Sequence, residues 1–523
     1  MKKDTSNTIR RAQRFPVILI GEGLLVGVVG GLIVLLYRVA LTYAGKWLEL
    51  ILDFVKGHPL RIAGWFLVLM LMAYIVGKLV KWEPMISGSG IPQVEGEVTG
   101  KLAQNWKKVL PAKFIGGFLC LFGGLSLGRE GPSIQLGAMT GQGISRLLDR
   151  GKTEEKYLMT CGASAGLAAA FHAPLAGMMF ALEEIHKGFS MSILISVMTA
   201  SVTADFISSY IIGLDPVFQF RLEHVLPQNY YWMLIILGVI LGVMGAFYNW
   251  AMLKAQDLYK KPKFLNETTR LMIAFFAAGV LGLLMPSVLG SGHELIVSLT
   301  DGKMVLGVVV LTFVVKFIFS AVSFGSGAPG GIFFPLLILG AMIGGIFAMT
   351  GVQLFGLDPV YINNFVLLAM AGYFTAIVRA PITGIILLFE MSGSVSQMLS
   401  LAIVSVTAYI IATLLKSEPI YESLLDRILK THHKATAVNV KGSSQKVLST
   451  FVIMNGSVLE EKMVQDITWP DNCLLVALER GGKELIPKGR TMLMAGDTLT
   501  TMTDERDAGY VHDKMEKLCY TSF

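Results

Sequence analysis

Residues 128–141 read GREGPSIQLGAMTG and residues 331–344 read GIFFPLLILGAMIG; at an offset of 203, seven of the fourteen positions are identical. Two further matches flank this one. Gly88-Ser89-Gly90 opens a stretch ending Gly100-Lys101, and Gly290-Ser291-Gly292 opens one ending Gly302-Lys303, 202 residues later. Ala173-Pro174-x-x-Gly177 pairs with Ala380-Pro381-x-x-Gly384 at an offset of 207, with Glu183 against Glu390. Chance similarity between glycine-rich segments does not preserve order and spacing three times over. The matches predict two homologous halves, with cores at about 88–190 and 290–392.

The repeats lie in apolar surroundings. The chain has 523 residues, 53% hydrophobic and 15% charged, with a mean hydropathy of +0.62. Soluble domains carry about 25% charged residues, so a disordered chain and a single ordinary globular domain are both excluded. The charge is unevenly spread. The 91 residues from His433 onward hold 11 basic and 12 acidic residues, a soluble composition, whereas the first 432 hold 33 basic and 25 acidic. The net charge of +7 therefore belongs to the apolar portion, where basic cytoplasmic loops account for it without a nucleic-acid partner.

Lys2, Lys3, Arg10, Arg11 and Arg14 precede an apolar run, Phe15–Tyr37, broken only by Glu22. The run is too long for a signal-peptide core, and predicts a retained helix with a cytoplasmic N-terminus. Ten further apolar stretches follow between Ile62 and Leu415, and many are shorter than the ~20 residues of a straight span. Short, glycine-interrupted helices at membrane depth are tolerated where they line a protein-enclosed cavity. Such broken helices in repeated halves predict a transporter or channel, its substrate site at the repeat interface. Cys120, Cys161, Cys473 and Cys519 have neither metal-ligand nor redox spacing. No metal site is expected, and the tail reads as a reduced cytosolic domain. The expected organisation is a cytoplasmic segment 1–14, a membrane domain 15–415, a linker 416–434 and a cytoplasmic domain 435–523.

Glycine clusters at 88–92, 128–132 and 331–335 stand where helices should begin. A helix N-terminus presents unpaired N–H groups and partial positive charge, which hold an anion without a fixed cation. Glycine permits close approach, although small residues also serve helix packing. Glu130 lies among these glycines in an apolar region, and a carboxylate there is a functional candidate. Ionised, it would occupy the anion's place; protonated, it would vacate it. A salt bridge to Arg129 is the alternative. Glu183 and Glu184 close the apolar run 157–182, and on a helix adjacent residues point about 100° apart, so only one faces a given interior path.

Gly88-Ser89-Gly90-Ile91-Pro92, Gly128-Arg129-Glu130-Gly131-Pro132, Gly331-Ile332-Phe333-Phe334-Pro335 and the intervening GASAGLAAAFHAPLAG (162–177) resemble, in order and spacing, the signature segments of the CLC chloride channel and transporter family. The resemblance covers about residues 15–430. It implies an all-α polytopic membrane fold of inverted repeats, and a homodimer with one anion pathway per subunit. It implies that the Ser89 hydroxyl and the N–H groups of Ile332 and Phe333 bind chloride. The helix starts at Gly88, Gly90, Gly128, Gly131 and Gly331 would frame the site, and Tyr421 would form the inner gate. Glu130 would be the external gate and proton acceptor, and Glu184 the internal proton-transfer residue found in proton-coupled exchangers. Ser89 is similar to the chloride-preferring members. His172 is assigned no role.

In the tail, residues 435–440, 474–480 and 498–503 are strand-like, Gly481-Gly482 suits a hairpin turn, and 504–520 reads as a helix. Val476–Gly482, Leu485-Ile486-Pro487 and Ala495–Leu499 resemble the TrkA-C domain of potassium-conductance regulators, a small α+β module that usually dimerises and senses a ligand. In some bacterial potassium transporters such domains bind cyclic di-AMP, which the resemblance makes a candidate effector here. Together these features imply a bacterial chloride/proton antiporter, multi-pass in the cell membrane with both termini cytoplasmic and with no cofactor beyond bound chloride. The alternatives are an uncoupled chloride channel and a serine hydrolase using Ser89 and His172. A potassium pathway lacks support, because no Thr-Val-Gly-Tyr-Gly filter is present.

Overall fold

The computed structural model describes residues 5–213, 224–262, 265–393, 395–436, 446–480, 483–504 and 507–520. The chain forms two compact units: Met1–Glu95, Gln104–Asp149 and Tyr157–Asp426 in one; Gly96–Ala103, Arg150–Lys156 and Arg427–Phe523 in the other.

The first half runs α1 (Thr5–Val55), α2 (Pro59–Trp82), α3 (Ile91–Val98), α4 (Trp106–Phe122), α5 (Glu130–Leu147), α6 (Lys152–Phe171), α7 (Pro174–Phe180) and α8 (Met191–Ile212). The second runs α9 (Tyr231–Lys260), α10 (Glu267–Leu284), α11 (His293–Thr300), α12 (Leu306–Gly325), α13 (Phe333–Phe355), α14 (Ile362–Val378), α15 (Pro381–Ser392) and α16 (Met398–Leu414). The three sequence matches set α3 against α11, α5 against α13 and α7 against α15. Packing repeats as well: α1 lies on α8 as α9 lies on α16. Helix α1 extends well past the apolar run expected to end at Tyr37, because Arg38 is held by helix partners and does not break the turn. The single stretches expected at 157–182 and 364–389 are each divided, at Ala173-Pro174 and Ala380-Pro381. Proline disfavours helical geometry in the residue before it and starts a new helix at its own position.

Among the described residues, eight helices are long and apolar enough to cross a membrane. In the spans Phe333–Phe355 and Pro359–Val378, 78% of the apolar window is buried, against 33–44% in the other six. Helices α13 and α14 are thus core, and the others keep an apolar face outward, as lipid contact requires. Helix α5 is buried along most of its length, and glycine makes this possible. Gly137 of α5 and Gly162 of α6 approach so closely that a Cβ on either would overlap the other's carbonyl oxygen.

The segment expected as a linker is largely helical, as α17 (Ile420–Thr436), which buries Ile420, Tyr421, Leu424 and Leu425 on one helical face. Ala435 and Thr436 end this helix rather than starting a strand, and 437–440 lie outside the described residues, as do Gly481-Gly482. In the tail, β1 (Lys446–Val452), β2 (Cys473–Arg480), β3 (Lys483–Leu485) and β4 (Thr498–Asp504) form an antiparallel sheet of order β1-β4-β2-β3. Strands β2 and β4 and the closing helix α18 (Ala508–Tyr520) match expectation. Strands β1 and β3 were not anticipated: β1 mixes exposed apolar with polar residues and β3 is three residues long. Phe451, Leu478 and Leu499 pack against Val511 and Met515 of α18. Asp497, 1% exposed, accepts both Nε and Nη2 of Arg480 at 2.7 Å. Burial pushes the Cys519 thiol up to about 12, so at neutral pH it packs as a protonated, apolar group.

Replacing Gly162 with Ala should prevent correct packing of α5 on α6. The expected result is loss of the monodisperse detergent-solubilised protein and a lower unfolding temperature, whereas Gly151→Ala, at an open position, should leave both unchanged.

Candidate functional site

The two halves meet backbone to backbone. Gly128 N–H donates to Gly331 O at 2.7 Å and Gly331 N–H donates back to Gly128 O at 2.8 Å. This antiparallel bridge sets the starts of α5 and α13 side by side. The loop before α3 joins them, with Gly330 N–H to Gly88 O at 3.0 Å and Gly88 N–H to Gly327 O at 3.3 Å. The glycines make room chiefly for protein atoms. A side chain at 128 would strike the Glu130 carboxylate, one at 131 would strike Ser89, and one at 90 would strike Gln135. Gly88 and Gly90 also have φ of +69° and +96°, a region that favours glycine.

Glu130 opens α5 and is fully buried. Its Oε2 accepts the Phe334 N–H, in the first turn of α13, at 3.3 Å. Its Oε1 has no hydrogen-bond partner among the described residues, and no ion pair there joins it to Arg129. The carboxylate therefore sits where the N-termini of both repeats point. Ser89 Oγ and Tyr421 OH are buried hydroxyls without hydrogen-bond partners among the described residues. An unpaired buried hydroxyl costs about 1–3 kcal/mol, and two such donors near cationic helix ends suit an anion. Ile332 and Phe333, at the start of α13 and almost wholly buried, carry N–H groups with no intrahelical acceptor. The Phe333 ring lies 4.8 Å from Phe374, 5.6 Å from Phe171 and 6.0 Å from Phe180, centroid to centroid. Phe180 meets Tyr421 edge-on at 6.4 Å. Tyr421 is within electrostatic reach of both Glu130 and Glu184.

The adjacent carboxylates separate in role. A π-helical turn over Ala181–His186 follows α7; such turns are rare and recur at functional sites. Glu183 turns outward to cap the other half, its Oε2 accepting Thr383 N–H at 2.9 Å and Thr383 Oγ1 at 2.7 Å at the start of α15. Its repeat counterpart Glu390 does the reverse, accepting Leu175 N–H and Ala176 N–H at the start of α7, at 2.9 and 2.7 Å. Glu184 is left over. It is buried, its Oε1 has no hydrogen-bond partner among the described residues, and Glu95, Lys187 and Glu422 are its electrostatic neighbours. Lys187 Nζ bridges Glu95 at 2.8 Å and the half-exposed Glu422 at 2.5 Å, so charged groups lead from solvent to Glu184.

Sequence reading passed over two lysines. Lys113 Nζ, wholly buried, donates to Ile86 O at 2.9 Å and Gly88 O at 2.7 Å. Lys316 Nζ, equally buried, donates to Val288 O and Gly290 O, both at 2.8 Å. The lysines are 203 residues apart and their acceptors 202. The available signal was a lone cation in each of two apolar stretches at the repeat offset. His172, considered as a hydrolase base for Ser89, is engaged elsewhere. Its Nε2 accepts Arg38 Nη1 at 2.7 Å, and its Nδ1 faces Ser209 Oγ at 3.1 Å and Asp205 Oδ1 at 3.2 Å.

Residues 69–413 match the family described as voltage gated chloride channel, and residues 448–514 match the TrkA-C domain. The H(+)/Cl(-) exchange transporter ClcA of Vibrio cholerae is 36% identical over 443 residues, covering 82% of this chain and 94% of its own. The protein of the same name from Salmonella typhimurium is 31% identical over 445 residues, covering 82% and 92%. A slow cyanobacterial Cl-/H+ antiporter of known crystal structure superposes with a TM-score of 0.76 at 30% identity, covering 79% of this chain and 99% of its own. Matched over most of its length in sequence and in fold, the chain belongs to the voltage-gated chloride channel (CLC) family and carries a C-terminal TrkA-C domain.

Proposed function

We propose that this protein exchanges chloride for protons across a bacterial cell membrane. The observation that carries this reading is the Glu130 carboxylate, fully buried and bonded to the Phe334 N–H where the first turns of the two repeats converge. Ionised, Glu130 occupies the electropositive pocket that chloride would fill. Protonated, it loses both its charge and most of its attraction for the α13 N-terminus, and chloride replaces it. Anion entry is thereby tied to proton uptake. Chloride deeper in the path is held by Ser89 Oγ, Tyr421 OH and the N–H groups of Ile332 and Phe333. These neutral donors bind an anion without the tight grip of a lysine, and so allow release. Protons arrive at Glu184 from the side where Lys187 and Glu422 meet solvent. The names of the Vibrio and Salmonella relatives support exchange over channel conduction.

The basic N-terminal segment favours a cytoplasmic N-terminus, and the free Cys473 and Cys519 of the tail suit the same, reducing side. The assembly is a homodimer, as the family resemblance implies. The TrkA-C domain is a cytoplasmic ligand sensor with cyclic di-AMP as its effector.

In proteoliposomes with a chloride gradient, uphill proton movement is the expected result; chloride flux without it would make the protein an uncoupled channel. Glu130→Gln should retain chloride flux and abolish proton coupling, since the amide no longer titrates; persisting coupling would remove Glu130 from the mechanism. Glu184→Gln should keep chloride flux while proton flux falls at least about tenfold, the loss of a positioned proton carrier, measured with a pH electrode in the same vesicles. Cyclic di-AMP should raise the unfolding temperature of the full-length protein in a saturable manner, and an unchanged midpoint at millimolar nucleotide would eliminate it as the effector.

A further inference from the structure

We infer that the Gly290-Ser291-Gly292 loop forms a second anion-binding site, a loading station for chloride or another small monovalent anion. It lies within a cavity of about 880 Å³ beside the C-terminal end of α1. The inference rests on the proposed chloride transport and adds to it a site in the other repeat.

The argument starts from the buried lysines. In the first repeat, Lys113 draws the carbonyls of Ile86 and Gly88 toward itself. In a trans peptide the N–H lies opposite the carbonyl, so the Ser89 N–H is directed away from Lys113, and Ser89 Oγ is buried without a partner among the described residues. Lys316 makes the same pair of bonds to Val288 and Gly290, so the second loop is oriented by the same device. Its far side is open: a Cβ on Gly290 would meet nothing within 4 Å, whereas the Gly292 side is filled by the Lys316 stem at 3.1 Å. Gly290, Ser291, Gly292 and His293 all line the cavity. The two loops differ in setting. Ser89 is sealed inside the protein, whereas Ser291 is partly exposed, as inverted repeats require when one copy faces the deep path and the other an entrance.

The charge of the cavity suits an anion in transit. Arg38, Lys46, Lys56 and Arg129 line it, against Glu49, Asp53 and Glu294, with His172 and His293. Phe334, whose N–H holds Glu130, also lines it. An anion held at Ser291 therefore stands in the same chamber as the residues flanking the Glu130 carboxylate. Binding there raises the local anion concentration beside Glu130 without having to displace it, and several weak sites in series speed passage.

The test separates entry from turnover. Chloride uptake is measured in right-side-out and inside-out vesicles containing wild type, Ser291→Ala, Ser291→Thr and Ser291→Asp, with proton coupling scored in parallel. Ser291→Ala should raise the half-saturating chloride concentration about three- to tenfold, the loss of one hydrogen bond to an anion, on one membrane face only. Maximal rate and proton-to-chloride ratio should be retained. Thr, which keeps the hydroxyl, should restore the wild-type value, and Asp should raise it further. Crystals of wild type grown in bromide should show an anomalous peak in contact with residues 290–292 that Ser291→Asp removes. An unchanged half-saturation, an equal change on both faces, or no bromide peak at the loop overturns the site. Loss of proton coupling in wild type would instead sink the exchange reading, leaving a one-sided shift as evidence for the site.

Discussion

Two peptide hydrogen bonds, exchanged between Gly128 and Gly331, hold the structure's central constraint. They fasten the first turn of α5 to the first turn of α13, so that the N-termini of two long helices, one from each repeat, point into one buried volume. Like partial charges facing each other are unfavourable unless something negative lies between them. Glu130 is that group, covalently built into one helix and accepting an N–H from the other. In the proposed exchange a mobile anion would substitute for it, and a proton would trade one for the other.

The same logic of reciprocity runs through the fold. Glu183 caps the second half's α15, and Glu390 caps the first half's α7. Lys113 and Lys316 each satisfy two loop carbonyls at the cost of burying an ammonium, a cost that only full hydrogen bonding offsets. The glutamates cap helix starts of the opposite half, and the lysines hold the broken backbone of their own half. Broken helices frame the proposed anion site, and they persist in a membrane because these charged side chains replace the missing intrahelical partners.

Much of this was legible in the residues. Duplicated glycine motifs announced two halves and broken helices, whereas the divisions at Pro174 and Pro381 emerge only in the structure. Glu130 stood out as a carboxylate in an apolar region. The residues alone did not divide Glu183 from Glu184, which only the family resemblance told apart; the π turn directs Glu183 to a helix cap and Glu184 inward. The buried lysines were overlooked because a single cation in an apolar stretch reads as a membrane-edge residue. The strand expected after 434 failed for a related reason: its first residues continue the helix whose apolar face buries Tyr421.

By itself the sequence determined the membrane class, the internal duplication and the separate C-terminal domain, and singled out Glu130 as a carboxylate in an apolar region, because composition, periodicity and motif order are one-dimensional properties. Tertiary structure alone decided which glycines touch, which carboxylate is left without a cap, and which loop each lysine turns. Those outcomes depend on contacts between residues about 200 positions apart, where a fraction of an ångström in helix approach separates a filled space from a collision.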